Sequence, residues 1–207
     1  MQNSTWAVGS LAALRTVLDD AQLVLAPNAD VVVVPTAAAF VGATQAAVAV
    51  ARVFEDRNVR VEALMIVDRA ASDEPYFLQR LAECDLLVLC DGSALHARSV
   101  WRNSRIGDAI NAAPSLVVVG AVASALSDVM IDPRGGAPTI GLNFRPGVAF
   151  SPPASDEQLV RTRALLDGDV PLVVLGPQGV VRRCGEQWRV VRSEGVVVTR
   201  GDHEVIL

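Results

Sequence analysis

The stretch from Ser115 to Met130, "SLVVVGAVASALSDVM", has the form of a turn that presents a nucleophile. An apolar run typical of a strand ends at Gly120, and small residues able to begin a helix follow it. Hydrolases place a serine or cysteine on such a sharp strand-to-helix turn, where its side chain can attack a carbonyl carbon. No serine or cysteine stands directly after this run. The sequence therefore predicts the turn of a hydrolase without the side chain that would react.

Nearby polar residues offer a second way to assemble a nucleophilic site. Ser124, Ser127 and Asp128 follow the apolar run, and His96 follows an earlier one. Together they supply the residue types of a Ser-His-Asp set. The alternative for Ser124 is a small packing residue on a helix. For His96 the two interpretations are a pocket residue that contacts ligand or transfers protons, and a helix-start histidine bonded to backbone.

The cysteines predict neither a disulfide framework nor a metal site. Cys84, Cys90 and Cys184 lack metal-ligand spacing, and two distant histidines with scattered carboxylates do not complete a ligand set. Cys90 ends a predicted strand, where it is either a nucleophile activated by a nearby cation or helix terminus, or a buried free thiol. We predict no metal and no cofactor.

Composition favours one globular domain that binds neither nucleic acid nor membrane. The chain has 207 residues, of which 51% are hydrophobic, enough for one buried core. All 18 basic residues are scattered arginines and the net charge is −5, which argues against polyanion binding. Pro, Asn and Asp interrupt the apolar stretches before membrane-spanning length, and no signal peptide is evident. The predicted location is the cytoplasm.

The order of elements predicts an α/β fold with a doubly wound, mostly parallel sheet flanked by helices. Short apolar runs such as "DVVVVP", "DLLVLCDG" and "SLVVVG" alternate with helical patterns, as right-handed crossovers require. We expect a single domain over residues 1–207, with an N-terminal helical segment over 1–30 and a C-terminal β-hairpin extension of the sheet over 170–207. Functional groups in such folds gather at the carboxyl ends of strands.

Several strings together resemble the cyanophycinase and dipeptidase E family of serine peptidases. They are "VVVVPTAAAF", "CDGSALHARSV", "VVVGAVASAL", "MIDPRGG" and "IGLNFRPGVAF", and they span roughly residues 30–198 in the family's order. The resemblance implies a class I glutamine amidotransferase-like fold. It also implies a site at the strand ends, which can be compared position by position.

The family's nucleophile turn reads Gly-Thr-Ser-Ala-Gly-Ala, and the matching residues begin at Gly120. In this register Val122 stands where the serine is expected, and Ser124 replaces the following glycine. Valine has no group that attacks a carbonyl, and its β-branch fits poorly in a strained turn. The resemblance therefore implies a degenerate nucleophile position.

Three further site elements of the family are altered. The stretch that would hold the general-base histidine contains Pro152 and Pro153 and no histidine. Pro177 and Gln178 replace the acidic residues expected after a late strand, and the N-terminal glycine-rich turn is reduced to a lone Gly9. The joint loss predicts a chain that is not an enzyme.

Two groups of residues remain as candidates for binding. A pocket at the strand ends would be lined by Cys90, Asp91, Gly92, Ser93, His96, Gly120 and Ala121. The "IDPRGG" loop contributes Asp132, Arg134, Gly135 and Gly136, with Arg134 either binding a carboxylate or pairing with Asp132 in a structural or interface role.

The leading functional hypothesis is a catalytically inactive, peptidase-like protein that acts as a binding or complex-forming subunit. We expect a protein partner or an active paralogue, together with homodimerisation. One alternative is an active hydrolase with rearranged groups around Ser124 and His96. Another is a small-ligand sensor with its pocket near Cys90, Asp91 and Val122.

Overall fold

The structure, a computed structural model, describes residues 4–201 and 203–207. Its strands are β1 (Ser4–Val8), β2 (Ala29–Val34), β3 (Val59–Ala63), β4 (Leu86–Leu89), β5 (Ser115–Val119), β6 (Val129–Ile131), β7 (Pro138–Ile140), β8 (Ala149–Ser151), β9 (Leu172–Leu175), β10 (Val180–Cys184), β11 (Gln187–Arg192), β12 (Val196–Arg200) and β13 (His203–Glu204). Its α-helices are α1 (Leu11–Asp19), α2 (Ala43–Val53), α3 (Pro75–Glu83), α4 (Ala94–Trp101), α5 (Arg105–Ala112), α6 (Ala123–Leu126) and α7 (Asp156–Leu165). Short 3-10 turns lie at Thr36–Ala38, Ala70–Asp73 and Gly120–Val122.

A seven-stranded sheet forms the centre of the molecule. Its strand order is β11-β10-β1-β5-β4-β2-β3. The five strands from β1 to β3 are parallel, while β10 and β11 are antiparallel at one edge. This confirms the predicted α/β fold with a mostly parallel sheet.

Helices bury both faces of the sheet, which explains its continuous apolar strands. Along β2, Val31 and Val33 belong to the core beneath α1 and α2, whereas Val32 and Val34 belong to the core beneath α4 and α5. Successive side chains of a strand point to opposite faces, so a strand covered on both sides must be apolar throughout. The valine-rich runs seen in the sequence therefore mark the interior strands.

The N-terminal region differs from the predicted helical segment over 1–30. Helix α1 is present, and Ser10 caps it by accepting a hydrogen bond from the Ala13 N–H, at 3.3 Å. However, β1 precedes it and lies between β10 and β5 in the sheet. The predicted N-terminal helical segment thus contains a strand as well as a helix. The strand was not predicted because β1 begins with polar Ser4 and Thr5, so the helical pattern after it dominates the sequence signal.

The C-terminal region extends the main sheet only in part. The β10–β11 hairpin pairs with β1 at the edge, as expected for the 170–207 segment. Strands β9, β12 and β13 instead join β8 in a separate four-stranded sheet, and β6 and β7 form a two-stranded hairpin. The prediction of hairpins that only extend the sheet was incomplete, because a sequence does not show which of two sheets a strand joins.

The parallel strands bring several predicted site residues to one end of the sheet. Asp91 follows β4, and Gly120 follows its neighbour β5. The predicted helical stretch after β4 forms two helices, α4 and α5, and α4 carries His96. In the part of the chain that the structure describes, no helix has the length and apolar character needed to cross a membrane.

Candidate functional site

The sharp turn after β5 lies at Gly120. Its φ angle is +63°, and the chain continues directly into a 3-10 turn and α6. Glycine adopts this left-handed conformation without the cost that a Cβ atom imposes. Val122 lies two residues further on, in ordinary helical geometry with φ of −64° and ψ of −22°. The turn geometry that presents a nucleophile therefore falls on a residue without a side chain.

Val122 is part of the core. Its side chain is fully buried and belongs to the same apolar cluster as Leu89, Val118 and Leu126. A side chain at this position is therefore enclosed by the core. A serine there would lack access to a substrate unless the turn changed its conformation.

The Asp91 carboxylate occupies the space above Gly120. A Cβ atom built on Gly120 would overlap the Asp91 Cγ and both carboxylate oxygens at distances that real atoms do not adopt. Any residue with a side chain at position 120 would therefore have to displace Asp91. The chain's own carboxylate stands where a nucleophile side chain would begin.

The same carboxylate accepts two backbone hydrogen bonds. Asp91 Oδ1 lies 2.7 Å from the Gly92 nitrogen and 2.9 Å from the Ala121 nitrogen. The N–H group directly after the turn residue is one that hydrolases use to stabilise an oxyanion. Two N–H groups thus converge on one oxygen, and that oxygen belongs to the protein itself.

Close backbone packing holds the β4 end of this site. Gly92 has a φ angle of +144°, and a Cβ atom there would overlap the Ala37 carbonyl. The Ser93 N–H donates to the same carbonyl at 2.8 Å. The Ser93 hydroxyl caps α4 by accepting from the His96 N–H at 3.2 Å. These contacts explain the Asp-Gly-Ser order after β4.

The His96 ring is bonded to backbone at the start of α4. Its Nε2 atom lies 2.8 Å from the Val67 carbonyl oxygen, and since a carbonyl only accepts, Nε2 donates. The ring also makes an edge contact with Phe40, with centroids 4.5 Å apart. This geometry matches the backbone-bonded interpretation of His96 more closely than that of a free proton acceptor.

The serines and the aspartate after the turn do not form a hydrogen-bonded set with His96. Ser124 is buried on α6, and Ser127 is fully buried. The Ser127 Oγ and Asp128 Oδ1 atoms are buried and have no hydrogen-bond partner among residues 4–201 and 203–207. Over the same residues, no hydrogen bond joins His96 to Ser124, Ser127 or Asp128.

Cys90 lies in the core rather than at an accessible site. It is 2% exposed, and burial together with the negative charge of Asp91 raises the pKa of its thiol to about 12. Burial likewise raises the pKa of Cys84 to about 11. Both thiols are therefore protonated at neutral pH, whereas a cysteine nucleophile or metal ligand acts as the thiolate. Within the described ranges, no group of three metal-ligating side chains is close enough to hold an ion.

Two other altered elements contact each other across the end of β1. The Gly9 N–H donates to the Gly179 carbonyl at 2.9 Å, and the Ser10 hydroxyl donates to the Pro177 carbonyl at 2.7 Å. The Pro177-Gln178 loop thus lies directly against the Gly9 turn. At the remaining element, the Ser151 hydroxyl donates to the Pro152 carbonyl, and Pro153 follows.

The Asp132–Gly136 loop is bonded to itself and to α7. Asp132 Oδ1 accepts from the Arg134 main-chain N–H at 2.9 Å, and the Gly136 N–H donates to the Asp132 carbonyl at 2.8 Å. Gly135 lies between them, and the Thr162 hydroxyl on α7 donates to the Gly136 carbonyl at 2.8 Å. Asp132 therefore shapes the turn through Arg134's backbone, not its guanidinium.

Comparisons with known proteins agree with this architecture. The chain matches no protein-family model, and no curated protein matches it. Among solved structures, a peptidase from an acI-B1 Actinobacterium has a TM-score of 0.75 and 18% identity, covering 100% of this chain and 94% of that one. A putative peptidase E protein from Listeria monocytogenes EGD-e has a TM-score of 0.66 and 14% identity, covering 93% and 99%. The chain therefore has a peptidase E-like fold, as the resemblance in sequence implied.

Sequence reasoning grouped four residues that the structure brings together, but it missed how the Asp91 side chain contacts the turn after β5. Asp91, Gly92, Gly120 and Ala121, all predicted pocket residues, do lie together. The role of Asp91 was missed because it depends on contact with a turn about thirty residues away. The only signal in the sequence is an aspartate directly after a buried strand.

A double-mutant cycle tests the contact between Asp91 and Gly120. Gly120→Ala should lower the free energy of unfolding by at least about 1–2 kcal/mol, since it strains the left-handed turn and collides with the carboxylate. In an Asp91→Ala background the same change should cost less, with a coupling energy of about 0.5–3 kcal/mol in urea unfolding. Gly168→Ala is the control, because no atom lies within 4 Å of a Cβ there. Additive effects of the two substitutions would contradict the contact.

Thiol titration tests the burial of the cysteines. At pH 8 the exposed Cys184 should react rapidly with Ellman's reagent, while Cys84 and Cys90 should not react, because their raised pKa values keep them protonated. All three should react in urea. Cys184→Ser should abolish the native reaction and leave two thiols in urea. Rapid reaction of a second thiol in the native protein would show that Cys84 or Cys90 is accessible.

Proposed function

We propose that this protein is a catalytically inactive member of the peptidase E-like fold that acts as a binding or complex-forming subunit. The main support is the position of the Asp91 carboxylate. It occupies the space that any side chain at Gly120 would need, and it accepts a hydrogen bond from the Ala121 N–H. One internal group thereby replaces the nucleophile and fills the position of the oxyanion.

The electrostatics of the turn support loss of acyl-transfer chemistry. Backbone N–H groups accelerate acyl transfer when they are free to bind the oxygen that becomes negative. Here they already bind a negative oxygen that is covalently part of the chain, so a substrate carbonyl would have to displace it. Neither Gly120 nor Val122 supplies an attacking atom, and His96 is bonded to Val67.

The surface beside the turn supports a role in complex formation. Phe40 and Val41, which follow the 3-10 turn after β2, are 79% and 82% exposed. The Phe40 ring contacts His96 and so lies next to the Asp91 site. Adjacent apolar side chains with this exposure favour contact with another protein. A homodimer or a complex with an active paralogue would cover them, and the three free cysteines suit the reducing cytoplasm.

Labelling with a fluorophosphonate probe tests the absence of a serine nucleophile. We expect no labelling of the purified protein and no cleavage of aspartyl dipeptides or β-aspartyl substrates, with an active serine peptidase as the positive control. Ser124→Ala separates the alternatives: labelling or cleavage that this substitution abolishes would establish the rearranged hydrolase and overturn the proposal.

Light scattering coupled to size exclusion, followed by a native pull-down from source cells, tests complex formation. We expect a dimer or a stoichiometric complex that Phe40→Ser with Val41→Ser disrupts. Ile140→Ser, a substitution of a 65% exposed side chain on β7, should leave it intact. A monomer at all concentrations that recovers no stoichiometric partner would contradict a subunit role.

A further inference from the structure

A polar cavity lies at the opposite end of the sheet from Asp91. It has a volume of about 200 Å³ and opens beside the amino ends of β1 and β5 and the β10–β11 turn. Its polar lining includes Ser4, Thr5, Asn111, Arg145 and Arg183, with Gly185 at the turn. Two arginines therefore face one small space.

Arg145 is a buried cation whose partners are all neutral. Only 8% of its surface is exposed. Its Nε donates to the Thr5 hydroxyl at 2.7 Å, and its Nη1 donates to the Asn111 side-chain oxygen at 2.9 Å and to the Phe144 carbonyl at 2.7 Å. Burial, and then the positive charge of Arg183, lower the pKa of Arg145. The positive charge is held in place but not neutralised.

Arg183 brings a second cation to the same place. It lies directly opposite Thr5 in the antiparallel β1–β10 pair, so its side chain lies on the same face as the hydroxyl that holds Arg145. Its Nε atom is buried and lacks a hydrogen-bond partner within the part of the chain described. Over that part, no carboxylate forms an ion pair with Arg145 or Arg183.

A purely structural role accounts for only one of these arginines. Arg145 does hold the end of α5, since it also donates to the Asn111 carbonyl at 3.1 Å. That role requires neither a second cation beside it nor an unpaired buried N–H in a cavity. Placing two like charges together in partial burial is unfavourable unless an anion joins them.

We propose that this cavity is a binding site for a phosphate group, either the free ion or a phosphomonoester. A dianion matches two guanidinium groups, whereas one carboxylate is matched by a single arginine. The planar donors of Arg145 and Arg183 would hold two oxygens, and the Ser4 hydroxyl and Asn111 amide are the neutral donors at the same cavity. The site is separate from the Asp91 turn, so this proposal does not depend on the proposed function.

Calorimetric titration with inorganic phosphate at constant ionic strength tests the site. Wild-type protein should bind one phosphate saturably, and Arg183→Gln should weaken binding at least about tenfold, because it removes a charge-assisted contact. Arg189→Gln is the matched control, since Arg189 lies on neighbouring β11, is exposed, and donates a hydrogen bond to the Gln187 side chain. It removes the same charge and should change the affinity by less than about twofold. Circular dichroism checks that each variant is folded.

A second variant and a comparison of ligands complete the test of the phosphate site. If Arg183→Gln does not fold, Arg183→Lys serves instead. It keeps the positive charge but lacks the paired donors of the guanidinium, so it should still weaken phosphate binding. Absence of saturable binding by the wild type, equal loss in Arg189→Gln, or tighter binding of acetate than of phosphate would overturn the proposal. A phosphomonoester that binds more tightly than the free ion would support it and identify the ligand as an ester.

Discussion

The hydrogen bonds from two backbone N–H groups to the Asp91 carboxylate determine how the carboxyl ends of β4 and β5 are arranged. Adjacent parallel strands β4 and β5 end side by side, so the amides of Gly92 and Ala121 point into one space. Converging amides of this kind bind an anion. In this chain the carboxylate of Asp91, two residues past β4, accepts hydrogen bonds from both amides. This arrangement leaves no room for a side chain at Gly120, and it joins the two strand ends. Asp91 thus forms a bridge between the two strand ends.

A line of buried hydrogen bonds holds the neighbouring strand ends behind that bridge. The Thr36 hydroxyl after β2 donates to the Ile66 carbonyl at 2.6 Å and accepts from the Trp101 indole N–H at 3.1 Å. Trp101 ends α4, the helix that begins beside Gly92. Buried polar groups that are all paired fix one arrangement, because leaving any of them unpaired is costly. The turn that carries Asp91 is thus positioned by contacts on both sides.

The difference between what the sequence predicted and what the structure contains has a consistent physical cause. The interior strands were evident because burial on both faces demands unbroken apolar runs, as in β2 and β5. Strand β1 was not predicted because it begins with polar Ser4 and Thr5 and so lacks a long apolar run. Counting from Gly120 along a family string placed the nucleophile position at Val122, whereas the turn falls where β5 stops pairing, at Gly120 itself. Local patterns predict elements, but a contact such as Asp91 with Ala121 depends on which strands become neighbours.

The two ends of the sheet differ in whether the chain supplies its own anion. At the carboxyl ends, Asp91 is tethered next to the amides it binds, and a tethered group competes at a high effective concentration against any dissolved one. At the amino ends, Arg145 and Arg183 have neutral partners or none among the described residues, although the chain carries a net charge of −5. If the cavity binds phosphate as proposed, an external anion would gain little at the first end and two charge-assisted contacts at the second. The two ends share no residue, so the proposed phosphate site does not depend on whether the Asp91 end is catalytic.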